Sequence, residues 1–359
     1  MKNIFSLAAS LLLFILLLNN KTNSQSISQT LSVLSSDAAV QYSEPAIKAF
    51  EAAMNTGWFS GLPSADNGFH LKLRIVGIGS VFSNDVRNFS TMGEFRFSSK
   101  QVDDILTESG YSSSDYFYND IKNYILDRSW NVSIGGPTII GSKDEYLKVK
   151  FPGGDIPVEL PNGSTEYYTV NDYSVNVQEV KGFLDNLSFL PTPALQLDFS
   201  SVLGTGLSFR YFNGINVENL GKIKIFGIGL VHNIKYWFQS SFPLNIGAAF
   251  YYQNFDVGSV FKNTATKIGI YFSKDIGTFI LFSPYTGISY ESSTTKINYN
   301  YKFDTPAGVQ NVNIKVNYEP LNYVALTLGA TIDFPVITLN FDFKFAETQA
   351  ASIGLGFGF

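Results

Sequence analysis

The chain has 359 residues, 45% apolar and only 15% charged, and its 25 basic and 30 acidic residues give a formal charge of -5. It has no Cys, which removes disulfides, cysteine nucleophiles and thiolate metal sites; its two His, His70 and His232, leave little for a histidine-rich site. A mild negative charge with no basic tract argues against a nucleic-acid binder, while charge below the usual quarter of a soluble chain, with 32 Phe, 20 Tyr and 30 Gly, points to a membrane.

Residues 1–24 read as a secretory signal peptide. Lys2 supplies the positive region and Leu7–Leu18 a largely apolar one, followed by polar residues from Asn19 to Gln25. Twelve helical residues rise about 18 Å, short of a hydrocarbon core of roughly 30 Å, so this is a targeting segment rather than a span. An uncleaved anchor is the alternative. No Cys follows, which excludes a lipoprotein anchor.

Residues 25–68 are expected to form a helical, plug-like segment. Ile27, Leu31 and Leu34 fall near one face, and a second stretch, Pro45–Met54, is Ala-rich with Phe50 and Met54 spaced by four. Pro45 suits the first helical position and Gly57 is placed to end the helix. Trp58 and Phe59 then lead through a Gly/Pro/Asp turn region into an alternating strand, Phe69–Phe82, with Leu71, Leu73, Ile75 and Val81 on one face and His70, Lys72 and Arg74 on the other. Fourteen residues is long for a soluble sheet and suits a tilted barrel strand that continues past the membrane.

Residues 98–193 are the least regular part and hold many acidic residues, among them Asp103, Asp104, Glu108, Asp115, Asp120 and Asp127. Short helices are expected at Ser99–Ser109 and Phe117–Leu126, and short strands at Asn131–Ile134, Glu145–Phe151 and Tyr167–Val175, with turns at Gly135–Pro137, Pro152–Gly154 and Pro161–Gly163. The segment reads as an irregular acidic insertion or long loops on the barrel rather than a separate domain; a small soluble domain is the alternative.

From Ala194 strands follow one another. Val324, Leu326, Leu328 and Ile332 alternate with small and polar residues, as do Ile337, Leu339, Phe341, Phe343 and Phe345, and the last strand sets Ile353, Leu355, Phe357 and Phe359 against Gly354, Gly356 and Gly358. A soluble sandwich needs a charged outer face, whereas here one face is apolar and the other mostly Gly, Ser, Thr and Asn with sparse charge. The fold class is therefore an all-β transmembrane antiparallel β-barrel of about 12–14 strands over residues 69–359, with the helical segment before it. Lys72, Arg74, Arg210, Lys315, Asp342 and Lys344 fall on the polar phase as lumen-facing candidates. Tyr251, Tyr252, Tyr285, Tyr290, Tyr299 and Tyr301 suit aromatic girdles. Alternation breaks at Tyr236, Trp237 and Phe238, a girdle and turn at the membrane edge or a patch for a partner or lipid.

The closing strand, with Leu355, Phe357 and a terminal Phe359, resembles those of outer-membrane barrels read by the barrel-assembly machinery. Tyr42-Ser43-Glu44-Pro45 with Ala49-Phe50 and Asn55–Phe59, Gly221–Gly229, His232–Phe238 and Gly287–Ser293 together resemble DUF6588, a family of unknown function among exported proteins of Bacteroidota. More distantly, a helical segment before a barrel of about fourteen strands resembles the long-chain fatty-acid transporters of the outer membrane. That likeness implies that the N-terminal segment, through Pro45, Phe50, Met54, Trp58 and Phe59, plugs the lumen.

Enzymatic signatures are weak. Neither His lies beside a serine in a nucleophile elbow, G-x-S-x-G is absent, and no tight acidic cluster at ligand spacing appears. Gly204-Thr205-Gly206 and Gly227-Ile228-Gly229 read as close-packing or bulge glycines inside strands, not phosphate cradles. The expectation is a non-enzymatic outer-membrane barrel without a cofactor or nucleic-acid partner, in contact with outer-membrane lipid and the assembly machinery. It passes a small, hydrophobic solute or, alternatively, anchors and scaffolds exported protein partners; a soluble exported β-protein is a third reading.

Overall fold

The computed structural model describes residues 36–64, 69–82, 86–177, 180–185, 187–217, 221–238, 243–305, 308–318 and 320–358. The expected signal segment, the helical stretch 27–35 and Phe359 lie outside them, as do the side chains of Phe238, Tyr299 and Tyr301. In chain order, α1 (Ser36–Met54) precedes β1 (His70–Val81). Then come β2 (Asn88–Phe95), α2 (Ser99–Glu108), α3 (Tyr118–Leu126), β3 (Trp130–Pro137), β4 (Leu147–Phe151), β5 (Gly154–Glu159), β6 (Thr165–Val170) and β7 (Tyr173–Val177). The rest is β8 (Phe189–Ser201), β9 (Thr205–Val217), β10 (Gly221–Asn233), α4 (Lys235–Phe238), β11 (Asn245–Val257), β12 (Phe261–Ser273), β13 (Leu281–Thr305), β14 (Gly308–Asn317), β15 (Leu321–Asp333), β16 (Ile337–Phe345) and β17 (Ala350–Gly358).

Two units divide the described chain: residues 46–82 with 187–358, and residues 36–45 with 86–185. In the first, antiparallel pairing runs β12-β11-β10-β9-β8-β1-β17-β16-β15-β13 and closes from β13 onto β12, a barrel of ten strands. The expected 12–14 overcounts, because β14 pairs only with the extension of β13 beyond the wall and the short strands β2–β7 belong to the second unit. The wall obeys period two. On β15, Val324, Leu326 and Leu328 face out while Tyr323, Ala325 and Thr327 are buried inside; on β17, Ile353, Leu355 and Phe357 face out and Ser352 faces in. A closed antiparallel ladder with an apolar outer face satisfies every wall hydrogen bond internally and meets hydrocarbon outside, the requirement for spanning a membrane with strands. Among the described residues no helix is long and apolar enough to cross one.

The barrel has two mouths. At one lie the start of β1, the end of β17 and the turns β8–β9, β10–β11, β12–β13 and β15–β16; here this is the terminal mouth. At the opposite mouth are the turns β9–β10, β11–β12 and β16–β17, the β13–β14 arm, and the ends of β1 and β8 between which the second unit is inserted.

That second unit is packed, which corrects the reading of residues 98–193 as irregular loops. Strands β2-β3-β4-β7 form one antiparallel sheet and β5–β6 a hairpin, and Phe95, Phe97, Val102, Ile105, Ile121, Ile125, Val149 and Phe151 are buried. A capping box between Ser98 and Gln101 starts α2. Asp103 accepts hydrogen bonds from Lys122 Nζ (2.6 Å) and Tyr118 OH (2.6 Å), tying α2 to α3; the Lys122 bond, then that from Tyr118, holds its carboxyl below the ordinary value. The short helices and several of the strands fall where the sequence placed them, at α2, α3, β3 and β4; what local pattern does not show is that these five- to eight-residue strands pair across the sequence into one sheet with one core.

Pro45 is not the first helical residue: α1 begins at Ser36 and carries Pro45 inside it, at the boundary between the two units. The helix ends at Met54, and Gly57 (φ 70°) turns the chain in the left-handed conformation that glycine adopts freely. Close approach explains Gly227, whose added Cβ would lie 2.6 Å from a Trp58 ring carbon and 3.3 Å from the Tyr252 carbonyl. Gly227→Leu should therefore overpack the lumen at a cost of about 1–3 kcal/mol, read as a lowered temperature of the gel-mobility shift. Combining it with Trp58→Ala should recover most of the loss, and a double variant as weak as the single would refute this packing.

Candidate functional site

The lumen contains part of the chain itself. From Ala46 the helix enters at the opposite mouth, where Lys48 pairs with Glu347 of the β16–β17 turn and Phe50 packs edge-on against Phe255 and Phe261. The chain leaves at the terminal mouth, where Asn233 Nδ2 donates to the Pro63 carbonyl (2.9 Å). Between these points Ala49, Phe50, Ala52, Ala53, Met54, Trp58 and Phe59 are buried.

The last turn of a helix leaves carbonyls without backbone donors; here Thr56 serves Ala53 through its N–H and Ala52 through its hydroxyl (2.7 Å), and the wall adds donors to Ala52 and to the residues just past the helix. Lys344 Nζ donates to the Ala52 carbonyl (2.8 Å), Lys267 Nζ to Asn55 (3.2 Å) and Arg210 Nη2 to Thr56 (3.2 Å). Beyond the helix, Arg74 Nη2 donates to the Trp58 carbonyl (2.6 Å), which also accepts from Gln196 Nε2 (2.9 Å). Trp58 Nε1 serves the Met54 carbonyl (2.9 Å). Cations at a helix C-terminus also oppose the negative end of its dipole.

These cations are buried; Lys267, Lys344 and Arg74 are held by acids on the same wall, and Arg210 by the side-chain oxygens of Gln196 (2.9 Å) and Gln253 (3.3 Å). Glu291 Oε1 accepts from Lys267 Nζ (3.0 Å) and Ser289 (3.1 Å), and its Oε2 from Lys344 Nζ (2.9 Å) and Tyr323 OH (2.7 Å). Asp198 accepts from Arg74 Nε (2.5 Å), Gln196 and Ser208. Asp342 accepts from Ser352 (2.8 Å) and Tyr285. On the helix, Glu51 Oε1 accepts from Thr295 (2.7 Å).

An aromatic layer follows the clamp. Trp58 stacks on Tyr251 (5.0 Å between centroids) and lies under the Arg210 guanidinium (3.9 Å), while Phe59 stacks on Tyr271 (4.0 Å) and meets Tyr285 edge-on. Above this layer, at the terminal mouth, is a cavity of about 280 Å³ lined by Leu62, Pro63, His70, Lys72, Asp198, Asp275 and Asp333 among others. Among the described residues the buried Tyr251 OH and His70 Nε2 find no hydrogen-bond partner.

Of the sequence-derived lumen candidates, Arg74, Arg210, Asp342 and Lys344 lie in this cluster. Lys72 sits at the terminal mouth, paired with Asp333 (2.5 Å). Lys315 is exposed on β14, away from the lumen. Phe50, Met54, Trp58 and Phe59 are in the lumen, Met54 Sδ accepting from Gln253 Nε2 (2.8 Å); Pro45 is assigned to the second unit. Leu355 and Phe357 are on the outer face. Tyr236 packs edge-on against exposed Trp237, whose Nε1 donates to His232 Nε2 (2.5 Å) while His232 Nδ1 bonds Thr205 (2.9 Å). Both His232 nitrogens are thereby used. Gly204 lies in the β8–β9 turn with φ 67°, not inside a strand.

Sequence reading missed Lys267, Glu291, Gln196 and Asp198, and it placed Tyr251 and Tyr285 in the girdles, whereas both are buried in the lumen. The signal was phase: Tyr251 alternates in step with Gly247 and Ala249, and Lys267 with Ala265 and Gly269. Among the described residues no group of three His, Cys, Asp or Glu could hold a metal ion.

A ten-stranded antiparallel barrel with an apolar outer face and a lumen occupied by its own chain belongs among outer-membrane β-barrels. The chain is a member of the family of unknown function DUF6588, which matches residues 1–359. No curated protein matches it. Among solved structures, the β domain of the Bordetella autotransporter BrkA is 8% identical with a TM-score of 0.32, covering 81% of this chain and 99% of that one. OmpT of Vibrio cholerae is 9% identical (TM-score 0.25, 81% and 98% covered), and the transport unit of the Escherichia coli autotransporter AIDA-I 10% identical (TM-score 0.23, 87% and 97%). At these scores the likeness adds nothing to the strand ladder itself. The expected likeness to fatty-acid transporters is not specific: ten strands close where about fourteen were expected.

Glu291 is the hub of the clamp. Glu291→Gln strands two buried ammonium groups and should destabilise the barrel by about 3–5 kcal/mol, measured by urea unfolding in detergent. Adding Lys267→Met should return part of it. A change below about 0.5 kcal/mol in the single variant would show that the network contributes little.

Proposed function

We propose that the barrel is a gated passage for a small hydrophobic solute, with residues 46–63 as the gate. One observation carries this reading: the lumen is filled by a segment held through its backbone carbonyls and ring stacks, and an aromatic layer separates it from the cavity at the terminal mouth. Bonds to carbonyls fix the segment whatever its side chains, which leaves Trp58 and Phe59 free to serve as the closing surface. A solute entering the cavity meets Leu62, Trp58, Phe59 and Tyr251, and competes with the stacking of the two gate rings. Such contacts are individually worth about 0.5–1.5 kcal/mol beyond area burial, small enough for a ligand to exchange them. In this reading Arg74, Arg210, Asp342 and Lys344 position the gate rather than line a path, and Lys72 stands at its exit. Leu355 and Phe357 on β17 present the outer face that the assembly machinery meets, with the lipid of the membrane around it.

Removing residues 46–63 should raise single-channel conductance in a planar bilayer several-fold over the full chain. A silent trace from a variant that keeps heat-modifiable migration would sink the gating role. A milder change, Trp58→Ala with Phe59→Ala, should increase the flux of a hydrophobic naphthylamine dye into vesicles at least two-fold, and unchanged flux would count against the aromatic layer as the barrier.

A second reading, a non-transporting barrel that anchors exported partner proteins, is favoured by the packed unit inserted between β1 and β8. Crosslinking in intact cells that yields one dominant partner, with no uptake defect on deleting the protein, would select it.

A further inference from the structure

The turns at the terminal mouth are apolar where turns facing water are not. Each of the four carries at least one exposed large apolar side chain: Leu203 in β8–β9, Trp237 in β10–β11, Phe279 and Ile280 in β12–β13, Phe334 and Val336 in β15–β16. Phe279 is 76% and Trp237 66% exposed. At the opposite mouth the described turns are Gly258-Ser259-Val260 and Ala346-Glu347-Thr348-Gln349, with no large apolar residue exposed. An apolar ring found, among the described turns, at one mouth and drawn from separate turns is not a by-product of the wall's alternation, which stops where the strands end.

Leu203 adds an independent mark. Its φ is 83°, the one positive φ of a non-glycine among the described residues, and Gly204 follows at φ 67°. Two successive left-handed residues ordinarily call for Asn-Gly, and an L side chain with a Cβ there costs roughly 1–2 kcal/mol. A half-exposed leucine facing water does not repay that strain.

The ring is continuous with the face that meets hydrocarbon. Phe272 and Phe282 lie on the outer face at the β12–β13 turn, and Ile337 and Phe341 beside β15–β16. Inside the ring the surface changes character: Lys72 and Asp333 pair, and Asp275 accepts from Asn245 and Ser283. An apolar ring around an interior where charged pairs stand among apolar residues is the arrangement of a mouth that sits in a lipid leaflet with its opening at headgroup depth.

We propose that the terminal mouth is seated in the membrane, its four turns inserted among the lipids of that leaflet. The cavity at this mouth then opens at the headgroup layer rather than in bulk water. This rests on the barrel spanning a bilayer and not on what passes through it.

The absence of native Cys makes the test direct. Single Phe279→Cys and Val336→Cys variants of the full chain would be labelled with NBD, with Ser259→Cys and Glu347→Cys as opposite-mouth controls. Reconstitution would use phosphatidylethanolamine–phosphatidylglycerol vesicles containing lipids with a nitroxide near the headgroup, and heat-modifiable migration would confirm folding of each variant. The rim labels should emit at shorter wavelength than the controls, be quenched at least two-fold more by the nitroxide, and resist iodide. Rim labels quenched by iodide as strongly as the label at position 259 would overturn the proposal. So would labels shielded from iodide yet insensitive to nitroxide and joined in pairs by a bis-thiol crosslinker, which would make the ring a contact between two copies.

Discussion

The end of one helix, inside a barrel, sets much of what surrounds it. A helix terminus placed away from water, and the chain just past it, must find donors for their carbonyls, and the wall answers with ammonium and guanidinium groups from four strands: Lys344 on β16 reaches Ala52 in the last turn, and Lys267 on β12, Arg210 on β9 and Arg74 on β1 reach Asn55, Thr56 and Trp58 beyond it. Those cations must in turn be neutralised in a place that solvates them poorly. Glu291 does so for Lys267 and Lys344 and Asp198 for Arg74, while Gln196 and Gln253 accept from Arg210; Tyr323, Ser289, Gln196 and Ser208 complete the carboxylates' bonding. The polar side of the barrel is thus organised around carbonyl groups of a segment that is not part of its sheet.

Packing is subject to the same partnership. A ten-stranded barrel leaves little room once a helix enters it, and large rings fit only where the facing strand offers no Cβ. Gly227 makes space for Trp58, Gly287 for Tyr271 and Gly329 for Tyr285. The glycines of the inner face therefore match the rings of the lumen, and the abundance of Gly and of aromatic residues is one feature seen from two sides. The segment is held at its backbone and stacked at Trp58 and Phe59.

The two mouths differ in solvent as well as in connectivity. The described turns of the opposite mouth are short and expose no large apolar residue, while the terminal mouth carries apolar turns around a cavity of mixed lining. A solute that partitions into lipid would reach that cavity from the leaflet, which links the proposed hydrophobic cargo to the side of the barrel it meets first.

Much of this was legible in the residue order. Alternation along Val324–Ile332, Ile337–Phe345 and Ile353–Phe357 identifies strands with one apolar face, and with so little charge in the chain that face must meet hydrocarbon, because a soluble sheet would need charges there. Phase also marks Arg74, Arg210, Asp342 and Lys344 as inward. The number of strands was not legible, since β14 alternates as well as any wall strand and only pairing shows that it joins an arm. Nor was the second unit as a packed body: its short helices and several strands could be placed, but its core forms only when β2, β3, β4 and β7 meet across the sequence. Tyr251 and Tyr285 read as girdle residues because a tyrosine suits either a headgroup layer or a lumen with ring partners, and the choice depends on Trp58 and Phe59 arriving from elsewhere in the chain. Period two is a property of one strand and so is written in the sequence; which cation serves which carbonyl is a property of closure, and only the tertiary structure decides it.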